Sequence, residues 1–408
     1  MVVKKICVEY IVPGMILAKP VQGLDGSELF PEGTELGEEE KKVLEDAGID
    51  YIYVTARSEE SEQSILQTVA QEYAFKFFMY VNPDNKLFVE LFNIIVELIF
   101  DALKKGWELP CEDYIRAKSV ERMRDLFLKD MGGPEDIVKH ELSLASFPDV
   151  YFRLKKVLEN PSSSAKDIAE VVSSDVALTT KLLKLVNSPL FGLTQKVDSV
   201  ERAVSLVGEE ELSNLVLGIS AIRYFKDIPP ELMDMQTFWK HSLSCAIFAK
   251  IIASNYRDVN DEVLFTAGLL HDVGKLILFK NMPYSSVETL VFARENMVPM
   301  MEAEEYVLGF THTDISKLLM NSWQFPNTIN DIVSNHHNPT EASFETGAAI
   351  VQLADNLANA VGISYGNTFV VPGMDEDVFD KLNFPVEKLK PIVLKHNKLL
   401  NDLLSALT

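Results

Sequence analysis

The chain has 408 residues and a formal net charge of −23, from 61 acidic against 38 basic residues. This length exceeds what one hydrophobic core usually holds, so two or three domains are expected. The negative charge, without a run of Lys or Arg, argues against nucleic-acid binding and against attachment to an anionic membrane surface.

The cysteine pattern indicates the redox environment in which the protein is located. Cys7, Cys111 and Cys245 lie far apart and form no Cys-x-x-Cys motif, which predicts no disulfide framework and a reducing, cytoplasmic location. The N-terminal segment MVVKKICVEY also lacks the apolar core of a signal peptide.

Residues 1–56 are predicted to form a small β-rich domain. Short runs of strand-forming residues, KKICVEY, MILAKPVQ and SELF, alternate with the turn dipeptides Pro13-Gly14 and Asp25-Gly26. A short helix closed by Gly48 and a last strand, DYIYV, complete this unit.

Residues 57–135 are predicted to form a helical connector that ends near Gly132-Gly133-Pro134. Apolar residues recur at helical spacing in the runs 63–80, 85–105 and 113–131. In the most apolar run, Phe88 and Ile95 share a face, and the acidic Glu90 and Glu97 make it a poor membrane span. This helix packs either on the protein's own core or on a second copy in a homodimer.

Residues 136–408 are predicted to form one all-helical domain, so the fold class is mainly α. The segment SSSAKDIAEVVSSDVALTTKLLKLVNSPLF holds two helices. Ser163 or Ser164 is expected to cap the first helix, and Ser174 or Asp175 the second. Asn187, shortly before Pro189, is expected to close a helix end rather than to bind a ligand.

Histidines and buried carboxylates mark a candidate site in this domain. Five of the seven histidines, His241, His271, His312, His336 and His337, fall in segments with helical patterns. Asp272 and Asp355 lie in apolar runs, where an ionised carboxylate needs a partner. The most economical interpretation is convergence of these side chains on one metal site. The alternative is that backbone carbonyls or acids such as Asp314 accept hydrogen bonds from each histidine. The remaining histidines, His140 and His396, are predicted to lie outside the site.

Mixed imidazole and carboxylate ligands suit divalent iron, manganese, zinc or magnesium. The ligand set fits one or two such ions, or a hydrogen-bond network without metal. His336 and His337 are adjacent, and neighbours on a helix point about 100° apart. Both rings can reach one centre only if the helix ends there, which Pro339 favours.

The order H…HD…H…HH…D, carried by WKHS, GLLHDVGK, FTHTDI, SNHHNP and LADNLA, resembles the HD superfamily of metal-dependent phosphohydrolases. The finer resemblance is to the HDOD family, the HD-related output domain of bacterial signalling proteins. It covers about residues 138–365 and includes DVALTTKLLKLVNSPLF and NSWQFPNTINDIVSNHH. The front segment YIVPGMILAKPVQGLDGSELFPEGTEL resembles a small β domain often found ahead of HD-GYP phosphodiesterases.

The resemblance implies roles for particular residues. The implied metal ligands are His241, His271, Asp272, His312, His336, His337 and Asp355. Among them, His271 and Asp272 match the HD pair, whereas His312 and one of the paired histidines match positions that hold a second ion in binuclear members. Lys275 matches the lysine that faces the scissile phosphate in HD-GYP enzymes. Asp272 and Lys275 would be catalytic only if the protein is an enzyme.

Two departures weigh against hydrolysis. The segment NPTEASFETG after the paired histidines lacks the acid and the Gly-Tyr-Pro loop of HD-GYP enzymes. Lys317 is the only Lys or Arg between Glu295 and Asp380, whereas phosphodiester cleavage usually employs several cations. The sequence therefore predicts a bacterial signalling module that binds an unknown signalling protein and carries a structural metal or a vestigial HD site. The alternatives are a metal-dependent phosphohydrolase acting on nucleotides or cyclic dinucleotides, and a ligand sensor without turnover.

Overall fold

The computed structural model of the chain describes residues 3–23, 25–111, 120–121, 135, 149–160, 162–224, 228, 232–363 and 370–407. Contacts divide these residues into an N-terminal unit, up to residue 125 with Val370 and Val371, and a helical unit that contains the rest. The predicted boundaries at residues 56 and 135 stay predictions. His140, the Gly-Gly-Pro break and most of the predicted helix at 113–131 lie outside the described residues.

The described part of the N-terminal unit combines two small sheets with three helices. Its elements are β1 (Lys4–Cys7), a 3-10 turn (Val8–Tyr10), β2 (Ile16–Leu17), β3 (Val21–Gln22), β4 (Glu28–Phe30), α1 (Glu38–Asp46), β5 (Tyr51–Thr55), α2 (Glu59–Phe77) and α3 (Lys86–Lys104). One antiparallel sheet has the strand order β1-β5-β2, and β3 and β4 form a hairpin. The predicted β-rich region is therefore present.

The central strand β5 alternates between the interior and solvent. Ile52 and Val54 are buried, whereas Tyr51 and Tyr53 are exposed, as expected of a strand with one covered face. The predicted turn glycine Gly14 and the predicted helix-closing Gly48 have φ values of +94° and +69°. These left-handed conformations favour glycine, which explains why both residues end regular structure.

The apolar face of α3 is covered within its own unit. Leu87, Phe88, Leu91 and Ile95 are almost fully buried, and α3 packs along α2. The interpretation that this helix faces the protein's own core is therefore confirmed for these residues. Homodimer formation stays a prediction.

The sequence predicts no disulfide, and this prediction is wrong for two of the three cysteines. Cys7 at the end of β1 and Cys111 after α3 form a disulfide, with their Cα atoms 5.5 Å apart across 104 residues of sequence. Cys245 is free and buried in the helical unit. The sequence around two distant cysteines does not indicate that they pair. Cys7 and Cys111 come together only because the chain folds so that the end of β1 lies near the segment after α3.

Reduction of this disulfide is expected to lower the free energy of unfolding of the N-terminal unit by about 2–4 kcal/mol, because the bond closes a long loop of the unfolded chain. Urea unfolding followed by Trp107 fluorescence, in a Trp239→Phe/Trp323→Phe background, measures this with and without dithiothreitol. The Cys7→Ser variant should unfold at the lower midpoint under both conditions. Identical midpoints for the oxidised and reduced wild-type chain would contradict the expectation.

The helical unit contains fifteen α-helices among the described residues. They are α4 (Asp149–Leu158), α5 (Ala165–Ser173), α6 (Val176–Val186), α7 (Val200–Val207), α8 (Glu209–Tyr224), α9 (Met235–Ala253), α10 (Asp261–Leu270), α11 (Val273–Asn281), α12 (Pro283–Asn296), α13 (Met300–Leu308), α14 (His312–Ser322), α15 (Asn327–Ser334), α16 (Glu345–Ala360), α17 (Glu376–Leu382) and α18 (Leu389–Leu407). Short 3-10 turns at Pro339–Glu341 and Val386–Lys388 separate some of them.

Helix α9 forms the middle of this array, in contact with α10, α16 and α18. Nearly its whole circumference is buried from His241 to Ala253, as expected of a central helix with apolar residues on all sides. Helix α10 crosses α9 closely at Gly268, where an added Cβ would lie 2.9 Å from the Cα of Ala246. Because the helices on both sides of the candidate site contact α9, this crossing helps to fix the distance between the parts of the site.

The predicted helix ends agree with the structure. Ser164 begins α5, and its hydroxyl and backbone N–H both donate to the Asp167 carboxylate. Asp175 begins α6 and accepts a hydrogen bond from the Leu178 N–H. Asn187 ends α6, and its side chain bonds the backbone N–H and C=O of Val197 at 2.7 Å each. Mainly helical structure with a small β region is therefore confirmed, and no described helix is long and apolar enough to cross a membrane.

Candidate metal centre

The seven predicted ligands come from five places in the helical unit and meet in its interior. His241 lies on α9, His271 and Asp272 at the junction of α10 and α11, His312 at the start of α14, His336 and His337 just after α15, and Asp355 on α16. All except the partly exposed His337 are buried. Their role as metal ligands stays a prediction, but the convergence that it requires is present.

The first group of side chains surrounds the carboxylates of Asp272 and Asp355. His241 Nε2 lies 3.1 Å from Asp355 Oδ1 and 3.9 Å from Asp272 Oδ2. His271 Nε2 lies 3.2 Å from Asp272 Oδ2 and 3.6 Å from Asp355 Oδ1. The ligand atoms of His241, His271 and Asp272 all lie within 4.8 Å of one another, close enough to hold one ion.

The second group consists of His312, His336 and His337, whose ligand atoms also lie within 4.8 Å of one another. His312 Nε2 is 3.2 Å from Asp272 Oδ1, and the ring centroids of His271 and His336 are 5.2 Å apart. The two groups are therefore adjacent, and Asp272 lies between them.

The outer nitrogen of four rings is fixed by a hydrogen bond. The Nδ1 atoms of His241, His271 and His336 lie 2.6–2.8 Å from the backbone oxygens of Ile363, Gly268 and Val333, respectively. His312 Nδ1 lies 2.6 Å from Glu304 Oε2. A carbonyl or carboxylate partner places the proton on Nδ1 and leaves the lone pair on Nε2, which is how proteins usually orient metal-binding imidazoles.

Not all of the inner nitrogens of this site have a partner among the described residues. The Nε2 atoms of His336 and His337 are buried and make no hydrogen bond within the described structure, whereas those of His271 and His312 each lie 3.2 Å from an oxygen of Asp272. Buried polar nitrogens without partners cost free energy, so two of them aimed at one place require an additional group there. Divalent metal held at the two donor groups would ligate these nitrogens, so the residues present fit one or two ions. The alternative from sequence, in which backbone carbonyls or acids satisfy each histidine, accounts for the Nδ1 atoms and, through Asp272, for the Nε2 atoms of His271 and His312, but not for those of His336 and His337.

Helix ends allow adjacent residues to reach the same centre. The apolar run around His271 is divided between two helices, because α10 ends at Leu270 and α11 begins at Val273. His271 and Asp272 occupy the break, so their side chains are not held at the 100° spacing of a regular helix. The predicted end before His336 is confirmed, because α15 stops at Ser334.

Glu304 is a functional candidate that the sequence did not single out. Its carboxylate is almost fully buried on α13, and Oε2 accepts from both the Nδ1 and the backbone N–H of His312. The acid proposed for such a role, Asp314, is exposed and instead caps α14 through the backbone N–H of Thr311. A glutamate within MEAEEYVL looks like part of a solvated face, and only the tertiary position of α13 distinguishes it.

Gly274 permits the close approach that positions His312. A Cβ at residue 274 would lie 2.0 Å from the backbone oxygen of His312, so no side chain fits there. The Gly274 N–H also donates to Ser316 Oγ at 3.0 Å. These contacts hold the start of α14 against the start of α11, next to Asp272.

Lys275 supplies the positive charge nearest to Asp272. Its Nζ lies 2.9 and 3.0 Å from the two Asp272 oxygens, and the side chain is buried. The resemblance to HD-GYP enzymes implies that this lysine faces a phosphate. In this geometry the ammonium is directed at a carboxylate of its own chain, one helical turn away.

The protein's own charges around the centre separate the histidines into two kinds. Burial favours a neutral ring at His271, yet its negative neighbours, Asp272 foremost and Asp355 with it, together outweigh burial and raise the pKa of His271 well above its usual value. Burial together with the charged His271 and His312 lowers the pKa of His336 to about 3. Burial and the neighbouring His336 also lower the pKa of His337 well below its usual value. The paired histidines are therefore neutral, with lone pairs available to a cation.

His396 lies apart from this centre, as predicted. Its ring stacks on Phe248 with centroids 3.7 Å apart, and its Nε2 lies 2.7 Å from Ser244 Oγ. Burial lowers the pKa of His396 to about 4, from 6.5. The residue therefore contributes to packing between α18 and α9.

Acidification is expected to destabilise the folded chain through the lowered pKa of His396. The unfolded chain binds a proton at His396 near pH 6.5, whereas the folded chain binds it only near pH 4. The neutral, buried ring therefore contributes its full stability above pH 6.5, and this contribution to the free energy of unfolding declines as the pH falls below 6.5. At pH 4.5 the loss in the free energy of unfolding should be about 2–3 kcal/mol. Urea unfolding of the wild type and of His396→Gln at pH 7 and 4.5 measures it. Between pH 7 and pH 4.5, His396→Gln should lose about 2–3 kcal/mol less stability than the wild type. Equal losses in the two proteins would contradict the lowered pKa of His396.

The fold and the centre define an all-helical domain built around a buried histidine and aspartate cluster. Residues 144–339, just under half of the chain, match the family model of the HDOD domain, so this part of the chain is similar to that domain. The match contains all the candidate ligands except Asp355. The finer resemblance of the front unit to the domain ahead of HD-GYP phosphodiesterases stays a prediction.

Three relatives illustrate what the chain is similar to. An uncharacterised protein of Treponema pallidum (strain Nichols) is 27% identical over 206 residues, which are 50% of this chain and 39% of that protein. A proposed phosphohydrolase of Shewanella amazonensis SB2B has a TM-score of 0.54 at 20% identity and covers 67% of this chain and 98% of its own. A proposed signal transduction protein of Marinobacter aquaeolei VT8 has a TM-score of 0.52 at 21% identity, over 72% and 65% of the two chains. At these identities, the structural relatives show the fold alone.

Proposed function

We propose that the helical unit is a regulatory module of bacterial signalling that acts by binding another signalling protein, and that its histidine and aspartate centre holds divalent metal as a structural element. The observation that carries this proposal is the burial of the ligand set. His271, His312 and His336 are each 0% exposed, and Asp272 is 2% exposed. A structural metal site is closed by protein ligands, whereas a catalytic one keeps a position open to substrate.

The charges around the centre support the same proposal. A phosphodiester needs cations at its non-bridging oxygens in the transition state. Lys275, the lysine nearest to Asp272, is directed at that carboxylate, and Lys317 is exposed on α14. The formal charge of −23 also slows the approach of an anionic nucleotide.

The donor set favours iron, manganese or zinc over magnesium, because five of the seven donors are imidazoles. When bound, such an ion supplies positive charge that offsets Asp272 and Asp355 and ligates the inner Nε2 atoms. The protein's own part is to orient the rings through their Nδ1 partners. Because the ligands come from five segments, this arrangement would join α9, α10, α14, α15 and α16 into one stable body.

Elemental analysis of the purified chain, combined with a phosphodiesterase screen, tests the proposal. We expect one or two equivalents of divalent metal, a lower melting temperature after chelation, and no product from cyclic dinucleotides, nucleotides or bis-nitrophenyl phosphate. Purified protein that contains no metal, and whose melting temperature does not change when chelator is added, would contradict the proposal of a structural metal. Turnover that is lost in Asp272→Asn would contradict the non-catalytic role.

A metal-dependent phosphohydrolase remains the second candidate, and one observation favours it. Asp272 belongs to one donor group and lies 3.2 Å from His312 of the other, which gives room for two ions, and His337 is only partly buried. Asp272 would then act as ligand and proton acceptor. Lys275 would have to turn from this carboxylate to a phosphate, so activity should fall in both Asp272→Asn and Lys275→Met.

The cytoplasmic location and the homodimer also belong to this proposal. A reducing cytoplasm would keep Cys7 and Cys111 as thiols, so the disulfide argues for testing the location directly. Thiol trapping in intact bacteria measures whether these cysteines are paired. Light scattering of the purified chain measures its oligomeric state.

A further inference from the structure

The N-terminal unit contains a cavity of about 320 Å³ between its sheet, α2 and the end of α3. Its wall is mainly apolar, with Val54, Leu66, Val69, Leu103 and Leu109 among the lining residues. Pockets that take small ligands begin at about 300 Å³ and combine apolar walls with a few fixed polar groups. The cavity therefore has room for one small apolar body.

Lysines outnumber acids among the residues that line this cavity. The charged residues that line it are Lys4, Lys5, Lys104, Lys105, Glu62 and Glu108. The Lys5 ammonium lies 4.0 Å from the Tyr51 ring centroid and the Lys104 ammonium 5.3 Å from the Phe100 ring centroid, and neither ring lines the cavity. Lys4 and Lys105 are therefore the lysines that can offer positive charge to a bound group. The Nζ of Lys4 donates to the Leu103 backbone oxygen at 3.1 Å and lies 3.5 Å from the Glu62 carboxylate, so its ammonium is held at the cavity wall.

We propose that this cavity binds a small anionic amphiphile, in its simplest form a medium-chain carboxylate. The acyl chain would lie among Val54, Leu66 and Val69, where burial of methylenes supplies the affinity. The carboxylate would lie near Lys4 and Lys105, where charge complementarity selects an anion over a neutral chain of the same length. This proposal uses no residue of the metal centre and does not depend on it.

Calorimetric titration of the full chain with octanoate and decanoate, below their micelle concentrations, tests the proposal. Octanol is the uncharged match for octanoate. We expect one site per chain, about fourfold tighter binding for each added methylene, and several-fold weaker binding of octanol. Trp107 lines the cavity and is 44% exposed, so its fluorescence should shift on binding, in the Trp239→Phe/Trp323→Phe background.

Three variants locate the site. Ile65→Trp places a large ring in the cavity from the partly exposed side of α2 and should abolish binding. Lys105→Glu reverses an exposed charge at the cavity and should weaken octanoate but not octanol. Lys86→Glu reverses an exposed charge at the other end of α3 and should change neither. Melting temperatures establish that each variant is folded.

The outcomes are distinct. Stoichiometric binding that Ile65→Trp abolishes and Lys105→Glu weakens selectively supports the proposal. Absence of binding, or binding that survives Ile65→Trp, overturns the site. Equal affinities for octanoate and octanol overturn the anion preference, and equal effects of Lys105→Glu and Lys86→Glu do the same.

Discussion

The Asp272→Asn substitution is expected to lower the free energy of unfolding of the metal-free helical unit by about 3–5 kcal/mol. The Asp272 carboxylate lies within 3.2 Å of the Lys275 Nζ and of the Nε2 atoms of His271 and His312. Neutralising it leaves a buried ammonium beside rings that carry protons, and an uncompensated buried charge is costly. Lys275→Met should lower the free energy of unfolding by a similar amount, because the buried Asp272 carboxylate then loses the ammonium group that neutralises it.

The double variant Asp272→Asn/Lys275→Met is the informative comparison. Removing both partners of a buried ion pair costs less than the sum of the two single losses, and we expect a coupling of about 2 kcal/mol. Urea unfolding of chelator-treated protein in a Trp107→Phe background measures it, because Trp239 and Trp323 then report on the helical unit alone.

Lys317→Met is the control, because it removes a lysine from the exposed side of α14 and should change stability by less than about 0.5 kcal/mol. Additive single losses, or a loss below about 1 kcal/mol for Asp272→Asn, would show that the pair does not stabilise the centre.

Local structure was largely predictable because it depends on neighbours in the sequence. The apolar spacing of α3, the capping residues Ser164 and Asp175, and the helix end before the paired histidines are all consequences of a few adjacent residues. The order of the histidine motifs also indicated which side chains meet, because the resemblance supplied the tertiary information that periodicity lacks.

Features that depend on packing between distant segments were not predictable. The Cys7–Cys111 pairing spans 104 residues, and nothing near either cysteine indicates it. The break between α10 and α11 falls inside an apolar run that satisfies the helical period on both sides. Glu304 belongs to an acidic helix, and its burial follows only from where α13 packs.

The hydrogen bonds to the outer nitrogens explain why the rings form one centre rather than separate core contacts. His271 and His336 each bond a carbonyl three residues earlier, so the end of the preceding helix sets the direction of the ring. His241 and His312 instead bond partners from other segments, Ile363 and Glu304. The orientation of the centre therefore depends both on local helix ends and on the packing of α13 against α14.

Glu304→Gln is expected to weaken divalent metal binding by about 10–100-fold while the chain stays folded. The Glu304 carboxylate accepts from the Nδ1 and backbone N–H of His312, which fixes the ring and increases the electron density at Nε2. A neutral amide retains the shape but loses the charge. Competition with a chromophoric chelator for Zn²⁺ and Mn²⁺ measures the dissociation constants.

The same helix offers the control. Glu305→Gln makes the same chemical change at the next residue, whose side chain is exposed, and it should leave metal affinity unchanged. Nitrogen chemical shifts of the His312 ring provide a second readout, because the Nδ1-protonated form should be less populated in Glu304→Gln only. If both variants bind metal as tightly as the wild type, then Glu304 only fills space, and the orientation of His312 is set instead by the contact of α14 with Gly274.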